Sequence, residues 1–374
     1  MSLLHTIAFQ PQRLAVRRLL FQIHLWAGIF LALYLTVIGT TGAILVFEQE
    51  LGAVAWRGQS EGAVHGLDEV VAAGRSLAAG KSLSYVGYPT PGQQVYRFWY
   101  EDAGGRSSSR VVSAGSLKPV ISRGDGALQW VEKLHTELFL GSKGLLINGL
   151  AASGLMVMAA TGVVLWWPGV RRWREALRIR LRVGWRRMHF DVHSAAGFWA
   201  MPFIFWWALS GIYFCWPMQV AGLIDHSLGL QAMKMPPQAV DRGAAIAGLK
   251  LESLLERARL GTPGGSVSGV SLPAEAGGVV TVYVDRGRVG DFSQRDIYSF
   301  SGRSGEQLSV WHYGEKKTAG DWLLWLMHPL HFGSLWGVGV QCLWALMGLM
   351  LPVLSWTGLV MYWNRWLGKK LMRR

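Results

Sequence analysis

Charged side chains are scarce in this 374-residue sequence: Asp, Glu, Lys and Arg make up 16% of it, against about a quarter in soluble domains. The mean hydropathy is correspondingly positive, at +0.24. Four stretches carry no charge, and each reaches the ~20 residues that cross a bilayer as a helix; they are residues 19–47, 144–170, 192–224 and 322–364. The sequence therefore predicts a mainly α-helical membrane protein with four transmembrane helices.

Cysteine is also scarce, and its placement excludes two kinds of site. Cys215 and Cys342 are the two cysteines, and both lie inside uncharged stretches. The sequence therefore offers neither a disulfide framework nor a thiolate metal site. The glycines of residues 261–265 are not set in the strand–loop–helix unit of a dinucleotide-binding fingerprint, and the short basic segments between spans contain no NAD or flavin motif.

Basic residues outnumber acidic residues, and the positions of the basic residues are informative. The net charge of +14 is concentrated in residues 1–18, in the Arg-rich loop 171–187 and in the tail from Arg365. Basic residues at alternate ends of successive spans are the positive-inside pattern. This pattern places both termini and the Arg-rich loop in the cytoplasm. It makes the lipid bilayer, and not nucleic acid, the partner of these charges.

The segments between spans predict two small α+β domains on the opposite side of the membrane. They show strand alternation at 94–100 and 279–284 and helical periodicity over 242–260. The predicted order is a cytoplasmic N-terminus 1–18, span 1 at 19–47, outer domain 1 at 48–134, span 2 with its lead-in at 135–169, the Arg-rich loop 170–188, span 3 at 189–220, outer domain 2 at 221–321, an interfacial lead-in with span 4 at 322–364, and a cytoplasmic tail 365–374.

An internal repeat is the most informative feature of the sequence. RRLLFQIHLWAG (17–28) aligns without a gap on RRMHFDVHSAAG (186–197), and LHTELFLG (134–141) aligns on LHFGSLWG (330–337). Threonine- or serine-glycine pairs follow at the same offsets, and we interpret them as close helix contacts. The chain is therefore predicted to be two tandem copies of helix, outer domain, helix.

The repeat selects four of the ten histidines: His24 pairs with His193, and His135 pairs with His331. The predicted topology places one pair near each membrane surface. Polar side chains at membrane depth are functional candidates, and facing imidazoles suit axial ligation of haem iron. We expect Gly28 and Gly197, one turn after the first pair, to leave room for a porphyrin. Two histidines per site are too few for tetrahedral zinc.

Other residues compete with these histidines or assist them. His189 and His328 lie one turn from His193 and His331; each could replace its neighbour as ligand, and each could contact a haem propionate or a substrate. The basic residues beside the first pair could neutralise propionates of the inner haem; they are Arg17, Arg18, Arg186 and Arg187.

Together these motifs resemble the bacterial iron-regulated inner-membrane proteins with PepSY-associated transmembrane helices. The resemblance rests on the repeat motifs quoted above, on HPLHFG (328–333) and TGLVMYW (357–363), and on the Arg-rich loop after WWPG (166–169). Within that family the chain is most similar to ferric-siderophore reductases of the ferrioxamine type. The resemblance implies PepSY-like periplasmic domains, two haem b groups and a ferric siderophore as electron acceptor.

The expected activity is electron transfer across the inner membrane, because bis-histidine ligation leaves no open iron position for O2 chemistry. A ferric siderophore would be reduced in the periplasm and would release Fe(II), with a membrane quinol or a separate reductase as donor. Two alternatives stay open: a permease for siderophore or haem, and a haem-bearing subunit of another membrane oxidoreductase.

Overall fold

Most of the chain is described by a computed structural model: residues 9, 10, 12, 14–57, 65–104, 107–180, 182–231, 249–273, 278–287 and 294–367. The rest of the predicted cytoplasmic N-terminus and tail, and residues 242–248 of the predicted helix 242–260, lie outside the described residues.

Helices account for most of the regular structure. In chain order they are α1 (Val16–Leu45), α2 (Glu48–Ala55), α3 (Leu67–Ser76), α4 (Arg123–Glu137), α5 (Ser142–Trp166), α6 (Trp173–Ala176), α7 (Trp185–Cys215), α8 (Pro217–Gly222), α9 (Leu251–Gly261), α10 (Ala319–Phe332), α11 (Val338–Gly348) and α12 (Met350–Tyr362), with π-helical turns at Leu223–Ser227 and Trp363–Leu367. The strands are β1 (Ser82–Gly87), β2 (Val95–Glu101), β3 (Ser107–Ser113), β4 (Ser266–Ser271), β5 (Val279–Asp285), β6 (Arg295–Ser301) and β7 (Gln307–Tyr313).

Four helical stretches of the described chain are long and apolar enough to cross a bilayer: α1, α5, α7 and the run Val338–Arg365 that contains α11 and α12. The chain is a multi-pass membrane protein, as predicted. The residues ahead of two spans form separate helices. Helix α10 covers the beginning of the predicted lead-in to span 4, whereas α4 lies mostly in the segment predicted as outer domain 1. Backbone turns with positive φ at Phe139, Gly141, Gly333 and Gly337 separate these helices from the spans that follow.

The spans form one compact unit with a core of small and apolar side chains. Helix α1 packs against α5 and α12, and α7 packs against the same two helices. The core includes Leu35, Leu155, Ala200, Ile204, Ala208 and Leu351. A Cβ atom at Gly39 would lie 2.8 Å from the Gly348 carbonyl oxygen. Glycine is therefore required where α1 meets α11, as at many close helix contacts in membranes.

The segments between spans form a second unit, residues 49–128 with 224–325. The expectation of two separate small domains is wrong in one respect: their strands make one seven-stranded sheet, in the order β3-β2-β1-β4-β5-β6-β7. Antiparallel pairing of β1 with β4, centred on Val86 opposite Val270, joins the two segments. This pairing removes two exposed strand edges that separate domains would have left open.

One face of the sheet carries the core of this unit. Phe98, Tyr100, Val282 and Phe300 are almost fully buried there. Helices α3 and α9 contribute the other side of that core, with side chains that include Leu67, Val70, Leu254 and Leu255. Strands β2 and β5 coincide with the predicted strands 94–100 and 279–284, and α9 matches the described part of the predicted helix.

Candidate functional site

The four histidines selected by the repeat all belong to the unit that contains the spans. His24 lies on α1 and His193 on α7, within spans. His135 and His331 instead lie in the last turns of α4 and α10. We call His24 with His193 the first pair, and His135 with His331 the second pair.

A hydroxyl group from a different span holds each of the four imidazoles at its Nδ1 atom. The Nδ1–Oγ distances are 3.1 Å from His24 to Thr161, 2.9 Å from His193 to Thr357, 2.9 Å from His135 to Thr41, and 2.7 Å from His331 to Ser210. The four hydroxyls come from α5, α12, α1 and α7 in turn, so every span supplies one. All four hydroxyl residues are buried.

The hydrogen bonds of the four hydroxyls favour one tautomer of each imidazole. Each hydroxyl also lies within bonding distance of the carbonyl oxygen four residues earlier on its own helix, at 2.7–2.8 Å. A hydroxyl has one hydrogen, so when it donates to that carbonyl its oxygen accepts from Nδ1–H. The other tautomer would leave an Nε2–H without a partner among the described residues. The favoured form therefore presents the Nε2 lone pair, which is the arrangement of a metal-bound histidine.

The rings of the second pair stand at a separation that suits a shared metal ion. Their centroids are 6.5 Å apart and their planes are inclined by 72°. A metal bound by one nitrogen of each ring at about 2.1 Å would place the centroids roughly 6.4 Å apart. An iron ion held by one imidazole from each of two helices would therefore fit the second pair.

The two pairs are separated along the spans. On α1, His24 and Thr41 are seventeen residues apart, and on α7 His193 and Ser210 are also seventeen residues apart. At about 1.5 Å per residue, this places the two levels about 26 Å apart, within the ~30 Å hydrocarbon thickness of a bilayer. One pair therefore lies toward each end of the spans.

Glycines next to the hydroxyl residues give the imidazoles their space. A Cβ atom at Gly42 would lie 3.0 Å from the His135 Cε1 atom, one at Gly162 would lie 3.3 Å from His24 Cε1, and one at Gly358 would lie 3.5 Å from His193 Cε1. Gly211, beside Ser210, instead faces Ala152. The threonine–glycine pairs thus place a hydroxyl and a gap at each of three histidines, and they do more than allow helices to approach.

Gly28 and Gly197, expected to leave room for a porphyrin, contact the ends of flexible side chains. A Cβ atom at Gly28 would lie 3.4 Å from Met158 Cε, and one at Gly197 would lie 3.6 Å from Leu354 Cδ2. Both distances are ordinary van der Waals contacts. The space beside Gly28 is therefore lined by Met158, and the space beside Gly197 is lined by Leu354.

Additional side chains hold the backbone beside the second pair. Asn148 on α5 donates from Nδ2 to the carbonyl oxygens of His135 and Thr136, at 2.9 and 2.7 Å. In the other half, the Trp207 indole donates to the His331 carbonyl at 3.1 Å, and the Trp344 indole donates to the Leu330 carbonyl. These bonds tie the last turns of α4 and α10 to the spans.

The alternative histidines have other surroundings. His189 is buried, its Nδ1 donates to the Trp185 carbonyl at 3.0 Å, and its ring centroid lies 3.8 Å from that of Trp185. His328 lies against Phe332, with centroids 5.0 Å apart. The hydroxyl contacts described above go to His193 and His331.

Two of the four arginines near the first pair are held by protein groups. Arg17 donates to the carbonyl oxygens of Val164, Leu165 and Trp167, at the carboxyl end of α5. Arg187 pairs with the buried Asp191 at 2.8 Å. Arg18, Arg186 and Arg187 are all exposed. Of these three, Arg187 is already paired with Asp191.

The donor set argues against a metal ion held by protein ligands alone. Within the described residues, no group of three or more His, Cys, Asp or Glu side chains could hold a metal ion. A metal at either pair would therefore need further ligands from elsewhere, as the four equatorial nitrogens of a porphyrin provide. The residues present fit haem.

Comparison with known proteins agrees with this class of membrane protein. The model of the PepSY-associated transmembrane region matches residues 21–365, and the chain belongs to that family. It is also 27% identical over 259 residues to the uncharacterized protein PA4219 of Pseudomonas aeruginosa. The aligned region spans 64% of this chain and 64% of that relative.

Proposed function

We propose that this protein is a di-haem b-type cytochrome of the bacterial inner membrane that passes electrons to a ferric siderophore. The observation that carries the proposal is the set of four imidazoles, each held at Nδ1 by a hydroxyl from a different span. This arrangement leaves two pairs of Nε2 atoms free at two levels of the bundle. Metal-ligating histidines are held through their second nitrogen in this way.

In the proposed assignment His24 and His193 hold one haem, and His135 and His331 hold the other. Bound haem would supply one-electron redox chemistry with no open coordination position. The protein's own contribution is to fix the tautomer and orientation of the four imidazoles through Thr161, Thr357, Thr41 and Ser210. The apolar core between the two levels, which includes Leu155 and Ile204, excludes water from the path.

The two-fold repeat supports the same assignment. Thr161 and Thr357 occupy equivalent positions in the repeat, as do Thr41 and Ser210, and so do Asn148 and Trp344. Two residues at one repeat position therefore make the same kind of contact in each half. We place both termini in the cytoplasm from the positive-inside pattern, which puts the second pair and the sheet unit on the periplasmic side.

The substrate follows from the resemblance of the sequence to ferric-siderophore reductases. One electron converts the bound Fe(III) to Fe(II), and hard oxygen ligands of the hydroxamate type hold Fe(II) less well, so the iron is released. A membrane quinol or a separate reductase would supply that electron at the first pair.

The reaction is tested with the purified chain in liposomes that enclose a reductant. A ferric trihydroxamate siderophore is added outside together with a colorimetric Fe(II) chelator. We expect reoxidation of the reduced haem bands and formation of the Fe(II) complex, both lost in the His331→Ala variant. Siderophore uptake into the vesicles without Fe(II) formation would contradict reduction and would favour a permease. Haem bands that the siderophore leaves reduced would favour a subunit of another oxidoreductase.

A further inference from the structure

A basic cavity of about 250 Å³ lies just beyond the end of α5. This is the end of the helix that carries Thr161, so the cavity belongs to the same end of the bundle as the first pair. Among the described residues its lining is Phe9, Gln12, Pro168, Gly169, Arg171 and Arg172. Two of these six residues carry a guanidinium group, and none carries a carboxylate. The charge of the lining therefore suits an anionic ligand.

A tight turn fixes the backbone that carries the two arginines. The Arg172 amide donates to the Gly169 carbonyl at 3.1 Å, and Gly169 has a φ of 95°, which a residue with a Cβ atom rarely adopts. The Arg172 carbonyl then accepts from two backbone amides of α6, each at 3.1 Å. The Arg171 guanidinium lies 5.5 Å from the centre of the Phe9 ring, within the range of cation–π attraction. Both arginines are therefore held beside the cavity by contacts within the protein.

The acids of the same region are engaged with a different arginine. The buried Asp191 pairs with Arg180 at 2.9 Å, and Glu175 also interacts electrostatically with Arg180. Within the part of the chain that the structure describes, neither Arg171 nor Arg172 forms an ion pair with a carboxylate. Two positive charges at the cavity are therefore available to an anion from outside the protein.

Exposed apolar side chains beside the cavity favour a lipid over a soluble anion. Val163 and Val164, in the last turn of α5, are exposed, and so are Val170 and Trp173 on either side of the two arginines. An exposed indole next to the end of a span is typical of the head-group level of a bilayer. A lipid at this position would place its phosphate at the arginines and its acyl chains along the valines.

We propose that this cavity binds the head group of one anionic glycerophospholipid, such as phosphatidylglycerol. Arg171 and Arg172 would donate to the phosphate oxygens, because the planar guanidinium group matches the geometry of a phosphate. Basic pockets beside membrane spans bind anionic head groups through the same chemistry. The site does not depend on haem binding or on siderophore reduction.

The test is native mass spectrometry of the full-length protein in detergent, with phosphatidylglycerol and phosphatidylcholine of the same acyl chains in competition. We expect one phosphatidylglycerol to bind with about tenfold preference, as charge-assisted hydrogen bonds would give. Arg171→Gln combined with Arg172→Gln should abolish that preference. Arg174→Gln combined with Arg178→Gln is the matched control, because it removes two exposed arginines of the same loop that do not line the cavity. The control should keep the preference.

Equal binding of the two lipids by the wild type would overturn the proposal. So would an equal loss of preference in the two double variants, which would assign the preference to the overall charge of the loop. Inorganic phosphate is the third ligand: if it displaces phosphatidylglycerol at an equal concentration, the cavity is a site for soluble phosphate and not for a lipid. Circular dichroism checks the folding of each variant, and Arg172→Gln alone replaces the first double variant if that variant does not fold.

Discussion

The two histidine pairs make the same hydrogen bond to a hydroxyl, but they lie on different kinds of helix. In each pair, a hydroxyl from another span accepts a bond from Nδ1, at 2.7–3.1 Å. The first pair stands on the spans themselves, so packing of the bundle sets its position. The second pair stands on α4 and α10, short helices outside the spans, whose last turns are tied to the spans by an amide and two indoles. The imidazoles of both pairs are therefore oriented in the same way, by a hydroxyl. The two pairs differ in what holds their backbone in position.

Removing a ligand should have the largest effect. His24→Ala and His331→Ala should each reduce haem from two to one per chain, because one imidazole per pair cannot hold a six-coordinate iron. Haem is quantified by its pyridine haemochrome against protein concentration. His189→Ala and His328→Ala serve as matched controls and should retain two haems. Loss of a haem in either control would identify that histidine as a haem ligand.

Removing a hydroxyl should have the next largest effect and should act on both pairs alike. Thr161→Val and Thr41→Val keep the side-chain shape and delete the acceptor for Nδ1–H. We expect haem affinity at the corresponding pair to fall about 10- to 100-fold, as for other partners of metal-bound histidines. Competition with apomyoglobin measures that affinity. Thr161→Ser and Thr41→Ser restore the hydroxyl and should restore affinity. Wild-type affinity in both valine variants would show that the hydroxyls do not orient the ligands.

Removing a side chain that holds the backbone beside the second pair should affect haem binding at that pair alone. Asn148→Leu deletes the bonds to the His135 and Thr136 carbonyls. At about 1 kcal/mol per net hydrogen bond, we expect a five- to thirtyfold loss of haem affinity at the second pair and none at the first. Redox titration resolves the two haems. Ser153→Ala on the same helix, which loses only a bond to the Gly149 carbonyl, should change neither. An equal loss of haem affinity at both pairs would show that the backbone bonds of Asn148 do not act on the second pair in particular.

The smallest effect is expected from the arginine beside the first pair. Arg17 closes the carboxyl end of α5, the helix that carries Thr161. We expect Arg17→Met to lower the free energy of unfolding by about 1 kcal/mol with both haems retained. Arg18→Met, which replaces an exposed neighbour, should be neutral. The measurement is thermal unfolding in detergent. Equal effects of the two variants would show that the carbonyl bonds of Arg17 do not matter.

Much of the spans and the histidine set could be predicted from the sequence, because both depend on local signals. Uncharged runs mark α1, α5 and α7, and the repeat singles out His24, His193, His135 and His331. The tandem-repeat arrangement itself stays a prediction. The threonine–glycine pairs were visible too, but their partner lies up to 164 residues away. Only tertiary packing shows that each pair faces an imidazole.

The single sheet could not be predicted for the same reason. Strand alternation located β2 and β5, but Val86 pairs with Val270 across a separation that includes two spans. Nothing in either local pattern selects that partner. Helix α4 was not predicted, because polar positions interrupt its apolar run. The stretch 322–364 is too long for one span, so a lead-in ahead of span 4 could be predicted, but its helical form and its end at Phe332 could not.

Haem content of the purified wild-type chain tests the central claim most directly. Two hydroxyl-held histidine pairs predict two haem b per folded polypeptide, both with low-spin spectra typical of bis-histidine iron, and both present before any substrate is added. A folded chain, expressed with ample haem, that contains no haem would contradict the claim.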